Sequence, residues 1–232
     1  MRFVSLSIPA MALLLVSCGA EPSDTPAGES TEATAEAPEE IVVEGEERRI
    51  IAFGDSLFAG YNLEEFQGYP ERLERALRQQ GINATVVDAG VSGDTSAAGR
   101  QRLALLLDRQ PEKPDLFLLE LGGNDMLRSI QPDETRANFE AMLSELKSRD
   151  IPVLIMGMRA PPNYGPEYQQ QFDALYGDLA REYGASLVPF WLESIYQNPS
   201  LFQGDRIHPT AEGIDALVAD TIDDVQRALP KG

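Results

Sequence analysis

The stretch "RRIIAFGDSL", residues 48–57, runs an unbroken apolar segment into a glycine, an acid and a serine. Four consecutive apolar residues without polar alternation describe a strand buried on both faces, as strands are in parallel sheets covered by helices. Four similar runs come after it: "NATVVDAG" (83–90), "DLFLLEL" (115–121), "PVLIMGM" (152–158) and "ASLVPF" (185–190). Helical segments alternate with them: "YPERLERALRQQG" closing on Gly81, then "SAAGRQRLALLLDRQ", "DETRANFEAMLSELKSRD", "EYQQQFDALYGDLAREYG" and "TAEGIDALVADTIDDVQRAL". Strand and helix in turn predict an α/β fold, a three-layer α/β/α sandwich on a five-stranded parallel sheet with right-handed crossovers. No internal repeat interrupts it.

The rest of the chain is of a different kind. Residues 1–17 hold one arginine, an apolar stretch of about 14 residues and then small residues, which is secretory-leader architecture and too short to span a bilayer. Its end, "LVSC", resembles a bacterial lipobox, which implies cleavage before Cys18 and lipidation of that cysteine. An ordinary leader with Cys18 incidental is the alternative. Cys18 is the only cysteine, so no disulfide forms within the chain. Residues 18–47 then read as the lipidated cysteine and a disordered acidic linker, and 48–232 as the folded domain. Positions 21–47 hold ten Asp or Glu and no Lys or Arg, so much of the net charge of −19 belongs to the linker. The remainder, without the leader, carries 28 acids against 18 bases. With no basic cluster to neutralise phosphates, nucleic acid is not an expected partner.

Parallel sheets of this kind bind ligands at the carboxyl ends of their strands. Three polar loops fall there: "GDSL" (54–57), "GVSGDTS" (90–96) and "LGGND" (121–125). A fourth, "GDRIHP" (204–209), precedes the last helix. Ser56 is either a nucleophile or a turn residue that caps the segment after it. As a nucleophile it needs a base, and His208 is the only histidine in the protein. Asp205, three residues earlier, can face the same ring, fix its tautomer and stabilise its protonated form. The plain alternative makes both of them loop residues.

Together "FGDSL", the glycine of "VSGDTS", "GGND" and "DRIHP" resemble the four blocks of the SGNH/GDSL hydrolases, in that family's order, over about residues 50–228. The nearest subgroup is that of bacterial exported thioesterases, lysophospholipases and arylesterases. The resemblance implies a flavodoxin-like strand order 2-1-3-4-5. It also implies a catalytic Ser56–His208–Asp205 set and an oxyanion hole of the Ser56 N–H, the Gly93 N–H and the Asn124 side-chain amide. The pentapeptide "GDSLF" lacks the second glycine of an α/β-hydrolase elbow. Asp55 is expected to bond local backbone or cap the following turn, Asp94 and Thr95 to shape the Gly93 loop, and Asp125 to support the site residues from behind, rather than to react. No cofactor is expected, and no metal either: with one histidine and no usable cysteine, only carboxylates remain as ligands.

The expected function is serine ester hydrolysis through an acyl-enzyme on short- to medium-chain acyl or aryl esters, by an exported monomer at the periplasmic or cell-surface face of a membrane. Leu57, Met126, Pro162, Tyr164 and Ile207 are expected to line the acyl site, with Phe58, Leu127, Ala160 and Pro161 flanking it. "RAPPNYGP" (159–166) would then form a lip over the chain. Alternatives are a carbohydrate O-deacetylase of the same superfamily, acyl transfer to an alcohol, and a catalytically inactive lipid-binding lipoprotein.

Overall fold

A computed structural model describes residues 39–231 of the chain. The expected leader, Cys18 and most of the expected linker lie outside the described residues. Five parallel strands form the sheet in the order β2-β1-β3-β4-β5, as expected. They are β1 (Arg48–Gly54), β2 (Ala84–Gly90), β3 (Leu116–Leu119), β4 (Val153–Met156) and β5 (Ser186–Val188). Ile50 pairs with Val86 on one side and Leu116 on the other, so β1 is central. Ile50 to Phe53 and Leu116 to Leu119 are fully buried, which accounts for their unbroken apolar runs.

The crossovers are α1 (Tyr69–Gln79), α2 (Ser96–Asp108), α4 (Pro132–Ser148) and α5 (Pro166–Tyr183), and α7 (Ala211–Ala228) closes the chain. Two short helices, α3 (Gly123–Leu127) and α6 (Glu193–Tyr196), occupy segments expected to be loops. Helix α1 turns Tyr69, Leu73 and Leu77 inward and packs on α7, while α2, α4 and α5 pack in series. Right-handed crossovers put these two groups on opposite faces of the sheet.

Residues 39–47 lie against the domain rather than away from it. The carbonyls of Glu39 and Ile41 accept from the Arg75 and Arg78 guanidiniums at 2.8 and 3.0 Å, and that of Gly45 from the Asn83 amide at 3.0 Å. "IVVE" (41–44) forms no strand. Arginines of α1 hold this segment by its backbone, although it has little to bury.

Two packing features aim the first loop. The Phe58 ring stacks on Tyr69 with centroids 5.0 Å apart, and Trp191 meets both edge-on at 5.1 and 5.0 Å. All three are fully buried, so the chain is anchored two residues after Ser56. A Cβ on Gly54 would sit 2.6 Å from Glu120 Oε2 and 2.9 Å from the Phe58 ring. Only glycine lets the end of β1 approach β3 this closely.

Candidate active site

Ser56 lies just past the carboxyl end of β1, inside a turn closed by Ala59 N–H to Asp55 O at 3.0 Å and Tyr61 N–H to Ser56 O at 3.2 Å. His208 arrives from the loop before α7. That loop is braced by an isolated bridge between Phe202 and Pro209, and by Gln203 N–H to His208 O at 2.8 Å. The Gln203 side-chain amide donates to the carbonyls of both Tyr61 and Pro209, tying the histidine loop to the serine loop. Arg206 turns that corner at φ 60°, an uncommon conformation for a residue with a side chain.

The result is a continuous relay. His208 Nε2 lies 2.9 Å from Ser56 Oγ, and His208 Nδ1 lies 2.7 Å from Asp205 Oδ2. Asp205 Oδ1 also accepts from the backbone N–H groups of Ile207 and His208, at 2.9 and 3.0 Å. What burial Asp205 has pushes its carboxyl up, but the hydrogen bonds from the His208 ring and these two amides outweigh it and bring it to about 2. Ionised Asp205 holds the proton on Nδ1, which leaves Nε2 as the acceptor facing the serine. The Tyr61 ring packs against the imidazole, 4.4 Å between centroids.

Gly93 and Asn124 line the same cavity as Ser56 and His208. Gly93 adopts φ 85°, open to glycine at little cost, and its carbonyl accepts from Arg128 at 2.8 Å. Asn124 sits at the start of α3, and its side-chain amide donates to Asp55 Oδ2 at 2.9 Å and to Asp94 O at 3.0 Å. The Gly93 loop and the Asn124 amide are therefore held in fixed directions.

The remaining polar residues of these loops hold backbone and neighbouring elements in place. Asp55 Oδ1 accepts from Leu57 N–H at 3.0 Å. Asp94 pairs with Arg102 at 2.6 Å, and Thr95 caps α2. Buried Asp125 accepts from the Ser96 N–H at 2.7 Å and hydroxyl, and from the Thr135 hydroxyl at 3.1 Å, joining three elements. Sequence reasoning passes over Glu120, which is fully buried at the end of β3 beside Asp55. Its signal is a lone charge in the otherwise apolar "DLFLLEL".

The cavity has a volume of about 490 Å³. Leu57, Met126, Leu127, Pro161 and Ile207 line it. Pro162 and Tyr164 do not. They form a one-turn 3-10 segment leading into α5, where the Tyr164 ring packs on Tyr168 at 5.3 Å. Phe58 and Ala160 are core residues. The second wall comes instead from Met158, just past β4, and from Phe190, Leu192, Tyr196, Pro199 and Phe202, after β5. Of residues 159–166, Arg159 and Pro161 line the cavity.

The model of the GDSL-like lipase/acylhydrolase family matches residues 52–216. An arylesterase of Vibrio mimicus is 38% identical over 164 residues, 71% of this chain and 81% of that protein. The thioesterase 1/protease 1/lysophospholipase L1 of Escherichia coli K12 is 38% identical over 163 residues, 70% of this chain and 76% of that one. Among solved structures, the SGNH-hydrolase family esterase AlinE4 is 55% identical, with a TM-score of 0.69 over 81% of this chain and all of that one.

Proposed function

The chain belongs to the GDSL-like lipase/acylhydrolase family and is a serine ester hydrolase; from that premise we propose that Ser56, His208 and Asp205 carry the reaction. The observation that carries the assignment is the relay of 2.7 and 2.9 Å from carboxylate through imidazole to hydroxyl. As Ser56 Oγ bonds to the ester carbonyl carbon, its proton passes to His208 Nε2, and the carbonyl π-electrons move onto oxygen. The Ser56 and Gly93 backbone N–H groups and the Asn124 amide receive that oxyanion. Collapse breaks the bond to the leaving oxygen, which takes the proton from Nε2 and departs as the alcohol. Water, deprotonated by the same nitrogen, then releases the acid from Ser56.

Asn124 enters this sequence already donating to Asp55 and Asp94 O. The arriving oxyanion shares or displaces one of those acceptors, so the amide swings little. Preorganisation of this kind is what makes such donors effective.

The substrates are acyl or aryl esters with a short to medium chain seated along Leu57, Met126, Met158, Phe190 and Leu192. A cavity of this size and lining suits an apolar acyl group. It is a poor match for a carbohydrate O-deacetylase, for which a shallow polar site is expected. Relatives named arylesterase and lysophospholipase fit the same classes. The lipobox-like "LVSC" supports lipidation at Cys18 and a site at the periplasmic or cell-surface face of a membrane. Cys18→Ala would then move the protein from the membrane to the soluble fraction, and an unchanged distribution would refute the anchor.

A panel of p-nitrophenyl esters, lysophospholipids and acetylated sugars, run with wild type and Ser56→Ala, tests the assignment. Turnover of the acyl esters, lost in the variant, is the expected result. Preference for acetylated sugars would overturn the substrate class.

A further inference from the structure

The acid at the end of β3 has no place in the reaction just described, yet it is fully buried directly beneath the serine loop. Glu120 Oε2 accepts from the Asp55 N–H at 3.1 Å. Glu120 Oε1 is buried without any donor. Two buried carboxyls thus sit side by side, and ionising both would set two desolvated like charges against each other, so one of them holds a proton. We propose that Glu120 is the proton-bearing member and a positioning residue: its neutral carboxyl donates to ionised Asp55, which in turn fixes the Leu57 N–H and the Asn124 amide at the oxyanion site. This deepens the Ser56 mechanism and rests on it.

The distribution of donors decides which acid keeps the proton. Asp55 accepts from the Leu57 N–H at 3.0 Å and the Asn124 amide at 2.9 Å, with His208 nearby. Glu120 has one backbone N–H and a second oxygen facing no donor. An ionised Glu120 would leave that oxygen stripped of water and uncompensated, whereas a protonated one satisfies it by donating to Asp55. Burial pushes Glu120 well above the ordinary carboxyl range, with the neighbouring Asp55 charge adding to it. Burial also raises Asp55, to about 6, against the pull of the Leu57, Asn124 and Glu120 hydrogen bonds and His208.

The surroundings leave no other partner to do this. Arg102 of α2 is turned to Asp94 and the Gly54 carbonyl. Asp125 of α3 is satisfied by Ser96 and Thr135, and the Tyr176 hydroxyl of α5 donates to Leu121 O. His208 faces Asp205 and Ser56. The consequence for catalysis is electrostatic. Two ionised carboxylates behind Asn124 would oppose the developing oxyanion, and a shared proton leaves one charge, held by oriented N–H groups.

The test uses full-length wild type, Glu120→Gln, Glu120→Leu and Asp55→Asn. At mildly alkaline pH, where Glu71 and Asp55 are ionised, the infrared spectrum of wild type should contain the C=O stretch of a protonated carboxylic acid, absent in Glu120→Gln. Glutamine keeps a donor toward Asp55, so its kcat should stay within about threefold of wild type. Leucine removes the donor, so kcat should fall about tenfold or more with KM within about twofold, and its acid limb should move to higher pH. Asp55→Asn should abolish that movement when combined with Glu120→Leu. Should Glu120→Leu fail to fold, the infrared band and the Glu120→Gln profile decide by themselves. An unchanged band in Glu120→Gln, or an acid limb identical in Glu120→Leu and wild type, overturns the proposal. Ser56→Ala separates the two readings: if it still turns over ester the serine mechanism fails, whereas a dead Ser56→Ala with unmoved Glu120 profiles sinks only the present inference.

Discussion

Asn124 is the residue where geometry and chemistry are most tightly joined. Its amide is held by Asp55 and Asp94 O before any substrate arrives, so its contribution should be made in the transition state. Asn124→Ala is expected to lower kcat by about 10²–10³, roughly 3 kcal/mol, with KM little changed. Steady-state kinetics on p-nitrophenyl butyrate checks this, and an unaltered kcat would remove Asn124 from the hole. Asp205 makes a pH prediction. Because its carboxyl is held at about 2, it stays ionised through the mildly acidic range, and its stabilisation of the relay is lost only as pH falls toward that value. Asp205→Asn should therefore depress kcat at every pH from mildly acid to alkaline. Ser56, Asp205 and His208 are legible in the sequence because chemistry restricts the choice: one histidine, with one acid three residues before it. Glu120 is not, because a single charge in a strand looks like an end-of-strand residue until its burial is known.

The elements are legible in proportion to their length and periodicity. Strands with four or more consecutive apolar residues and helices of eleven or more stand out, whereas α3 and α6, of five and four residues, have too few positions to show a period. The acyl site suffers from the same limit. Its second wall lies in "PFWLESIYQNPSLF" (189–202), where Phe190, Leu192, Tyr196 and Phe202 keep neither strand nor helix spacing. Two prolines and a tyrosine at 161–164 look more like a substrate lip, but the Tyr164 ring turns to Tyr168, which stacks in turn on Phe172 at 5.8 Å. The expected outcome is specific: Tyr164→Ala leaves acyl chain-length preference unchanged, while Phe190→Ala shifts it toward longer chains by about tenfold in kcat/KM. Relative kcat/KM across p-nitrophenyl esters of increasing length reads both, and the reverse pattern would restore the lip.

The whole molecule is acidic, and several of its carboxyls are held above their ordinary range in the folded state. Burial pushes Glu71 at the start of α1 up to about 7, with Asp88, Glu65 and Glu74 adding to it. A carboxyl raised on folding binds its proton more tightly in the native state, so its stabilisation is complete below the unfolded value and is lost as pH rises through the folded one. Stability should thus decline between about pH 4.5 and 7 on account of Glu71, with Asp55 contributing in the lower part of that window. Glu71→Gln should flatten the decline and raise Tm at alkaline pH by about 2–4 °C, allowing for solvent screening of a partly exposed group. Calorimetry across that range decides it, and a Tm that rises with pH in wild type would contradict the sign.

At this scale the central claim is that one hydroxyl, Ser56, is the nucleophile, made so by the His208–Asp205 relay. Peptide mapping by mass spectrometry after treatment with a fluorophosphonate measures it most directly. One adduct per chain on Ser56, absent from Ser56→Ala and much slower to form in His208→Ala, is the predicted result. An adduct on another residue, or undiminished labelling of Ser56→Ala, would contradict it.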